Sequence, residues 1–308
     1  MNSLVGYTGF VGSNIYASGS FDAAYNTKNI KDSYGTSPDL LVFAGLRAEK
    51  YLADNDQKKD MSLICEAEEN ISKIAPKRIV LISTIDVFNK PFGVDESSSI
   101  DESHLNPYGY DRYQFEKWVR DKYADALIVR LPGLYGRNIK KNFIYDYINR
   151  IPFMLNSKKY SELTSRDPAI KQYYELQSNG FYKVNADDKD RTMLRDIFEH
   201  LGFSALDFTD SRSVFQFYDL SDLWADMQTA MGAGLTVWHP ATEPVSAGEL
   251  YHYLSGKEFI NELKKEPAYY DYRTRYADIF GGKGGYIYGK KRVLEKIKTF
   301  VERELAKA

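Results

Sequence analysis

Gly6-Tyr7-Thr8-Gly9-Phe10-Val11-Gly12 follows the apolar run Ser3-Leu4-Val5 and opens a helical stretch from Val11 to Ser18. Glycines at every third position between a strand and a helix have a physical use. They permit a tight turn, and they let backbone N–H groups approach a pyrophosphate closely. The positive end of the helix then faces that anion. The loop therefore reads as a dinucleotide site built from Gly6, Thr8, Gly9, Phe10, Val11 and Gly12. An NAD site usually carries an acidic residue about 20 positions further on, at the end of the second strand. Tyr25-Asn26-Thr27-Lys28 stands there instead. With no carboxylate for a ribose 2′-hydroxyl and a lysine available to a 2′-phosphate, Asn26 and Lys28 lean the choice from NAD towards NADP.

Strand-like and helical segments alternate through the first half of the chain. Ala23-Ala24-Tyr25 and Leu40 to Ala44 read as strands, and Lys58 to Ile74 as a helix ending near Pro76. Arg78 to Ser83 and Ala126 to Leu131 are continuous apolar runs, the kind buried on both faces of a parallel sheet. A helix from Tyr113 to Tyr123 lies between them. The alternation predicts an α/β fold, a Rossmann-type parallel sheet wound with helices. After Asn138 the chain becomes polar, helical in pattern and rich in tyrosine. Ser213 to Tyr218 and Leu235 to Trp238 read as a return to the sheet, Ser246 as the cap of a helix running to Leu254, and Lys290 to Ala306 as a closing helix. The expected division is a dinucleotide-binding domain from 1–138 and 211–240. A smaller discontinuous α/β cap from 139–210 and 241–308 would take the substrate.

Composition narrows the function. The net charge of −2 leaves no basic field for nucleic acid. The single cysteine, Cys65, excludes an internal disulfide and reads as a small buried hydrophobe. The four histidines lack ligand spacing, so no metal site is expected. No leader or membrane span is visible, and a soluble cytoplasmic protein is the expectation. The 25 tyrosines suit a core, a cap over a flat ring, or a protein interface.

Ser83-Thr84 ends a buried strand, which puts a hydroxyl at the carboxyl edge of the sheet, where such folds bind ligands. Asn106-Pro107-Tyr108-Gly109-Tyr110-Asp111-Arg112 leads into a helix on which Tyr108 and Arg112 share a face. A tyrosine beside a fixed cation and a nicotinamide ring can have a lowered pKa, because positive charge favours the phenolate. It can exchange a proton with a substrate oxygen while hydride moves at a nicotinamide, and Thr84 would polarise the same oxygen.

These motifs together resemble the extended short-chain dehydrogenases/reductases of the NAD-dependent epimerase/dehydratase family. The glycine loop is similar to its cofactor loop, and Ala44-Gly45 to its small-residue turn. Ser83-Thr84-Ile85-Asp86-Val87-Phe88 is similar to its serine/threonine strand, and Pro107-Tyr108-Gly109 to its Pro-Tyr-Gly. Arg130 to Gly136 resembles the strand and loop flanking the nicotinamide, and Phe217-Tyr218-Asp219-Leu220 a later segment. The resemblance implies catalysis by Thr84, Tyr108 and Arg112. It implies cofactor contacts at Ala44, Gly45, Ser83, Tyr108, Arg112 and Pro132, and substrate contacts at Asp86 and Asn142. It further implies redox chemistry or epimerisation on a nucleotide-linked sugar, and a homodimer through the helices at 58–74 and 113–123. Two departures stand out. Arg112 replaces the family's lysine, keeping the charge but unable to shuttle a proton. Ile85-Asp86 replaces the Asp-Glu pair of the family's 4,6-dehydratases, which argues against dehydration. The segment around Thr84 is closer to the 4-keto-sugar reductases. A second reading is a dinucleotide-binding sensor or scaffold with little catalysis, and Arg112 is the feature that favours it.

Overall fold

The computed structural model describes residues 1–48 and 50–307, which divide into two compact units. The first unit comprises Met1–Asn138, Phe215–Val245 and Tyr269–Val293. The segment 269–293, read from sequence as part of the cap, thus groups with the first unit.

Five strands of that unit follow the sequence reading closely: β1 (Asn2–Val5), β2 (Ala23–Tyr25), β3 (Leu40–Phe43), β4 (Ile79–Thr84) and β5 (Leu127–Leu131). With the strand Val237–Trp238 they form one sheet in the order Val237–Trp238, β5, β4, β3, β1, β2. Every pairing is parallel. The chain leaves β1 for β2 on one side, then crosses to β3 on the other. The carboxyl end of β1 is therefore a topological switch point, where open parallel sheets form a ligand crevice. The glycine loop lies there, leading into α1 (Phe10–Ser18).

Both sheet faces are covered. Val5, Phe43, Leu81 and Ile128 pack with α3 (Gln57–Ile74) and α4 (Pro107–Lys122), which follow the short α2 (Lys50–Asn55). The alternate side chains Leu4, Val42, Val80 and Val129 are equally buried, on the side of α1 and the helix Leu223–Gly232. The buried stripe of α3 is Asp60, Ile64, Ala67, Ile71 and Ile74, a spacing of alternate fours and threes that turns one helix face inward. Cys65 lies off this stripe and is exposed, so its expected burial is corrected. α4 starts at Pro107 rather than Tyr113, because Asn106 caps it through Gly109 and proline suits the first helical position.

The run from Ser213 to Tyr218 does not rejoin the large sheet as expected. Its ladder breaks at buried Gln216, whose carboxamide donates to the carbonyls of Thr242 and Tyr272 and accepts from the Tyr272 N–H. Beyond it, Phe217–Asp219 pairs in parallel with β6 (Gly133–Tyr135) as a separate two-stranded ribbon.

A buried ionic network ties α4 to the sheet. Glu116 takes the Arg130 guanidinium at 2.7 Å, with both side chains almost wholly buried, and accepts the Ser83 hydroxyl. Arg130 also donates to Nε2 of His239, so the proton of that ring sits on Nδ1 and is given to the Arg273 carbonyl. Burial and the Arg130 charge push the imidazole down to about 3, which keeps it a neutral acceptor.

The second unit comprises Ile139–Val214, Ser246–Ala268 and Leu294–Ala308. Its pattern read as helical, and α5 (Phe143–Asn149), α6 (Ser157–Arg166) and α7 (Asp188–His200) are present. It also holds an antiparallel sheet of β7 (Met154–Leu155), β8 (Tyr174–Leu176) and β9 (Tyr182–Val184), in the order β7-β9-β8. Strands of two or three residues are too short to show an alternating pattern. Several tyrosines are engaged internally: Tyr173 and Tyr174 are in the core, and Tyr160 stacks on Tyr182 at 3.6 Å. Ser246 forms a capping box with Glu249 on the helix Ala247–Ser255, as its sequence implies. No helix among the described residues is long and apolar enough to cross a membrane.

Removing one partner of a buried ion pair strands the other charge. Glu116→Ala is therefore expected to lower stability by about 3–5 kcal/mol, read as the midpoint of urea unfolding, with Glu116→Gln losing less.

Candidate active site

The turn after β1 is built on contacts that leave no room for side chains. Gly6 has a φ of +94°, and a Cβ on it would stand 2.3 Å from the Ala44 carbonyl oxygen at the end of β3. A Cβ on Gly12 would stand 2.1 Å from the Gly6 carbonyl oxygen. α1 is thereby pressed against the loop, and its first turn presents N–H groups with no intrahelical acceptor. Gly9 at the N-cap has no side chain to cap them. The result is a backbone cradle at the switch point, open at Thr8 and Gly9, both exposed. Asn26 and Lys28 follow β2 beside it. The Asn26 side chain accepts from the Lys28 N–H, and Lys28 is exposed.

Asn14, missed in the sequence reading, fixes the far wall of the cradle. Its carboxamide donates to the carbonyls of Phe10 and Arg137 and accepts from the Arg137 N–H. A Cβ on Gly136 would stand 2.8 Å from its oxygen. The loop that follows β5 and Pro132 is thus stapled to α1.

Thr84 and Tyr108 are brought together by Asp86. Thr84, at the carboxyl end of β4, donates its hydroxyl to the Asp86 carboxylate at 3.1 Å and accepts from the Asp86 N–H. The Asp86 carbonyl meets the start of α4, where a Cβ on Gly109 would stand 2.1 Å away. Only glycine after Tyr108 allows this approach. Asp86 also binds the Lys50 ammonium at 2.7 Å and faces the Tyr270 hydroxyl.

Tyr108 is 5% exposed. The Arg112 guanidinium lies 4.5 Å from its ring centroid and the Lys50 ammonium 5.9 Å. Arg112 is firmly held: it donates to Asp60 at 2.7 and 3.2 Å and to the Arg47 carbonyl at 2.8 Å. The protein's own charges do not by themselves produce the lowered Tyr108 pKa expected beside a cation and a nicotinamide. Burial raises it, Asp86 and Asp60 add to the rise, and Arg112 and Lys50 only oppose it.

Solved structures of similar fold span nearly the whole chain. dTDP-4-dehydrorhamnose reductase from Bacillus anthracis, in complex with NADP, is 15% identical with a TM-score of 0.62, covering 98% of this chain and 97% of that one. A short-chain dehydrogenase/reductase superfamily protein from Agrobacterium tumefaciens, with bound NAD, is 15% identical with a TM-score of 0.61, covering 100% and 98%. UDP-glucose 4-epimerase from Thermotoga maritima, with UDP-glucose, is 15% identical with a TM-score of 0.54, covering 98% of each chain. No family sequence model matches the chain, and no curated protein matches it by sequence. The chain has the fold of the extended short-chain dehydrogenases/reductases.

Within that fold the sequence-predicted residues divide. The glycine loop, Ala44, Gly45, Thr84, Asp86, Tyr108 and Arg112 lie in one unit, at or beside the carboxyl edge of its sheet. Ser83 turns its hydroxyl inward to Glu116 instead of towards the edge. Asn142 belongs to the second unit, where its carboxamide oxygen accepts from the N–H groups of Ile144 and Tyr145 and caps α5. Lys50, Asp60, Asp111 and Tyr270 were not singled out. Asp60 carried a signal: it lies four residues before Ile64 on the apolar stripe of α3, and an acid there needs a buried cation.

Asp111, buried beside Asp60, holds Gln57 at 3.0 Å. Burial and the neighbouring Asp60 push its carboxyl up to about 6, although Gln57 and Arg112 oppose this. A carboxyl raised in the folded state favours folding fully at low pH. That contribution is lost as pH rises from the unfolded value near 4 through about 6. Asp111→Asn mimics the protonated acid. Its stability relative to wild type should rise over that window by at most about 3 kcal/mol and then level off, measured by urea unfolding from pH 4 to 8.

Proposed function

We propose that the chain is an NAD(P)-dependent oxidoreductase acting on a hydroxyl or keto group of a sugar, nucleotide-linked as in the similar structures. The observation that carries this reading is the pairing of a backbone cradle at the switch point with Thr84 and Tyr108, joined through Asp86, on the same unit. The cradle fits a dinucleotide because its glycines bring bare backbone to the place where a pyrophosphate would lie. Gly6, Thr8, Gly9, Phe10, Val11 and Gly12 would hold it, with Ala44 and Gly45 beneath. Asn26 and Lys28 would meet the adenosine ribose, and Lys28 favours a 2′-phosphate and so NADP. When bound, the nicotinamide supplies or accepts the hydride.

The chain's own residues manage the oxygen and its proton. Thr84 holds the substrate oxygen by its hydroxyl, exchanging its present hydrogen bond to Asp86 for one to the substrate. Tyr108 gives that oxygen a proton in reduction and takes one from it in oxidation. Arg112 fixes the ring from one face. Asp86 keeps Thr84 and the start of α4 in register.

Tyr108→Phe is expected to lower turnover at least about 100-fold while NADPH binding, followed by nicotinamide fluorescence, is retained. Loss of binding with the activity would place Tyr108 in the cofactor site alone. Nucleotide 4-keto sugars offered with NADPH separate the reactions: falling nicotinamide absorbance marks net reduction, and conversion without it marks epimerisation. If no nucleotide sugar is turned over or alters cofactor binding, the enzymatic reading fails. Lys28→Glu should weaken NADPH binding several-fold and leave NADH binding nearly unchanged, measured by the same fluorescence titration.

A further inference from the structure

The reading of Tyr108 as the proton-transferring group leaves open which cation governs it, and Arg112 is poorly suited. Its guanidinium is closed by two hydrogen bonds to Asp60 and one to the Arg47 carbonyl. Both side chains of the Arg112–Asp60 pair are at most 5% exposed, and Asp111 is buried beside them. A phenol facing such a pair feels the opposed fields of a cation and an anion, and a planar fork so held cannot follow the charge.

Lys50 is built differently. It is the first residue of α2, its side chain is half exposed, and it pairs with Asp86 at 2.7 Å. Asp86 is itself shared with the Thr84 hydroxyl and faces Tyr270. Lys50 is a point charge on a flexible stem, 5.9 Å from the Tyr108 ring centroid. Its stem lets the ammonium swing between the carboxylate and a phenolate.

We infer that Lys50, tethered by Asp86, is the positioning cation that sets the ionisation of Tyr108, in place of the buried Arg112. When Tyr108 holds its proton, Lys50 rests on Asp86. When Tyr108 gives the proton to the substrate oxygen, the phenolate gains the Lys50 charge and the carboxylate is left to Thr84 and Tyr270. The charged state of Lys50 is maintained against its partial burial by Asp86 and Tyr270, which raise its pKa overall.

The inference rests on the proposed role of Tyr108, but its test does not need turnover. A fluorinated tyrosine placed only at position 108 titrates at lower pH than tyrosine and gives a single fluorine resonance. Lys50→Met should raise its titration midpoint by about one pH unit, the effect of removing one partly screened charge at this distance. Lys50→Arg should restore most of the shift. Asp86→Asn should move the midpoint the other way, since it removes an anion and releases Lys50 to the ring. A midpoint unmoved by Lys50→Met, or moved in the same direction by both removals, overturns the inference. Circular dichroism identifies any variant that has not folded, and Lys50→Gln then replaces it in the same titration. Opposite shifts in a protein that turns over no nucleotide sugar would retain the electrostatics while defeating the proposed function. Turnover with unmoved midpoints would do the reverse.

Discussion

Positions 6 and 12 can carry no side chain, because the Gly6 carbonyl and the end of β3 occupy the space a Cβ would need. Much follows from that closeness. α1 is drawn down onto β1, its unpaired N–H groups gather at the switch point, and the loops after β3 and β5 close around the same spot. Asn14 continues the constraint from the inner side of α1 to Arg137. A bulkier loop would displace α1 and, with it, the wall to which that loop is stapled.

The edge that carries Thr84 and Tyr108 is held by charge as well as by backbone contact. α4 carries Arg112 and Glu116 one turn apart, both buried, and each meets an opposite charge on another element. Arg112 reaches Asp60 on α3, and Glu116 reaches Arg130 on β5. These pairs are directional, and desolvation makes a misplaced α4 costly because it would bury charges unpaired. Whatever their net contribution to stability, they fix the rotation of α4 and so the aim of Tyr108. The Gly109 contact with Asp86 then sets its height against β4.

The parts of this arrangement that were legible in sequence are those written in local patterns. The glycine spacing and the apolar runs of β4 and β5 each specify structure over a few residues. Lys50 and Asp60 meet Tyr108 and Arg112 only through tertiary contacts between residues distant in the chain, and no spacing announces them. Ser83 shows the converse: its place at the end of β4 was readable, but not the buried Glu116 that turns its hydroxyl inward. Cys65 was misplaced because its neighbours are apolar, although the true buried stripe of α3 passes one residue to its side. In the second unit the strands were too short to show their period.

The protonation state of Tyr108 bears on the direction of the chemistry. Burial, with Asp86 and Asp60 nearby, raises the pKa of the phenol above its ordinary value although Arg112 and Lys50 oppose this. Under the proposed function, a phenol that rests with its proton in place would be the donor that reduction of a carbonyl to an alcohol needs. Oxidation of an alcohol requires the phenolate beforehand, and a protein creating it here must work against the low dielectric around the ring. The cation inferred to respond is the half-exposed Lys50, since Arg112 is held by Asp60. Under the proposed function, such a site would favour reduction at rest, and the return step that epimerisation demands would depend on how readily Lys50 leaves Asp86.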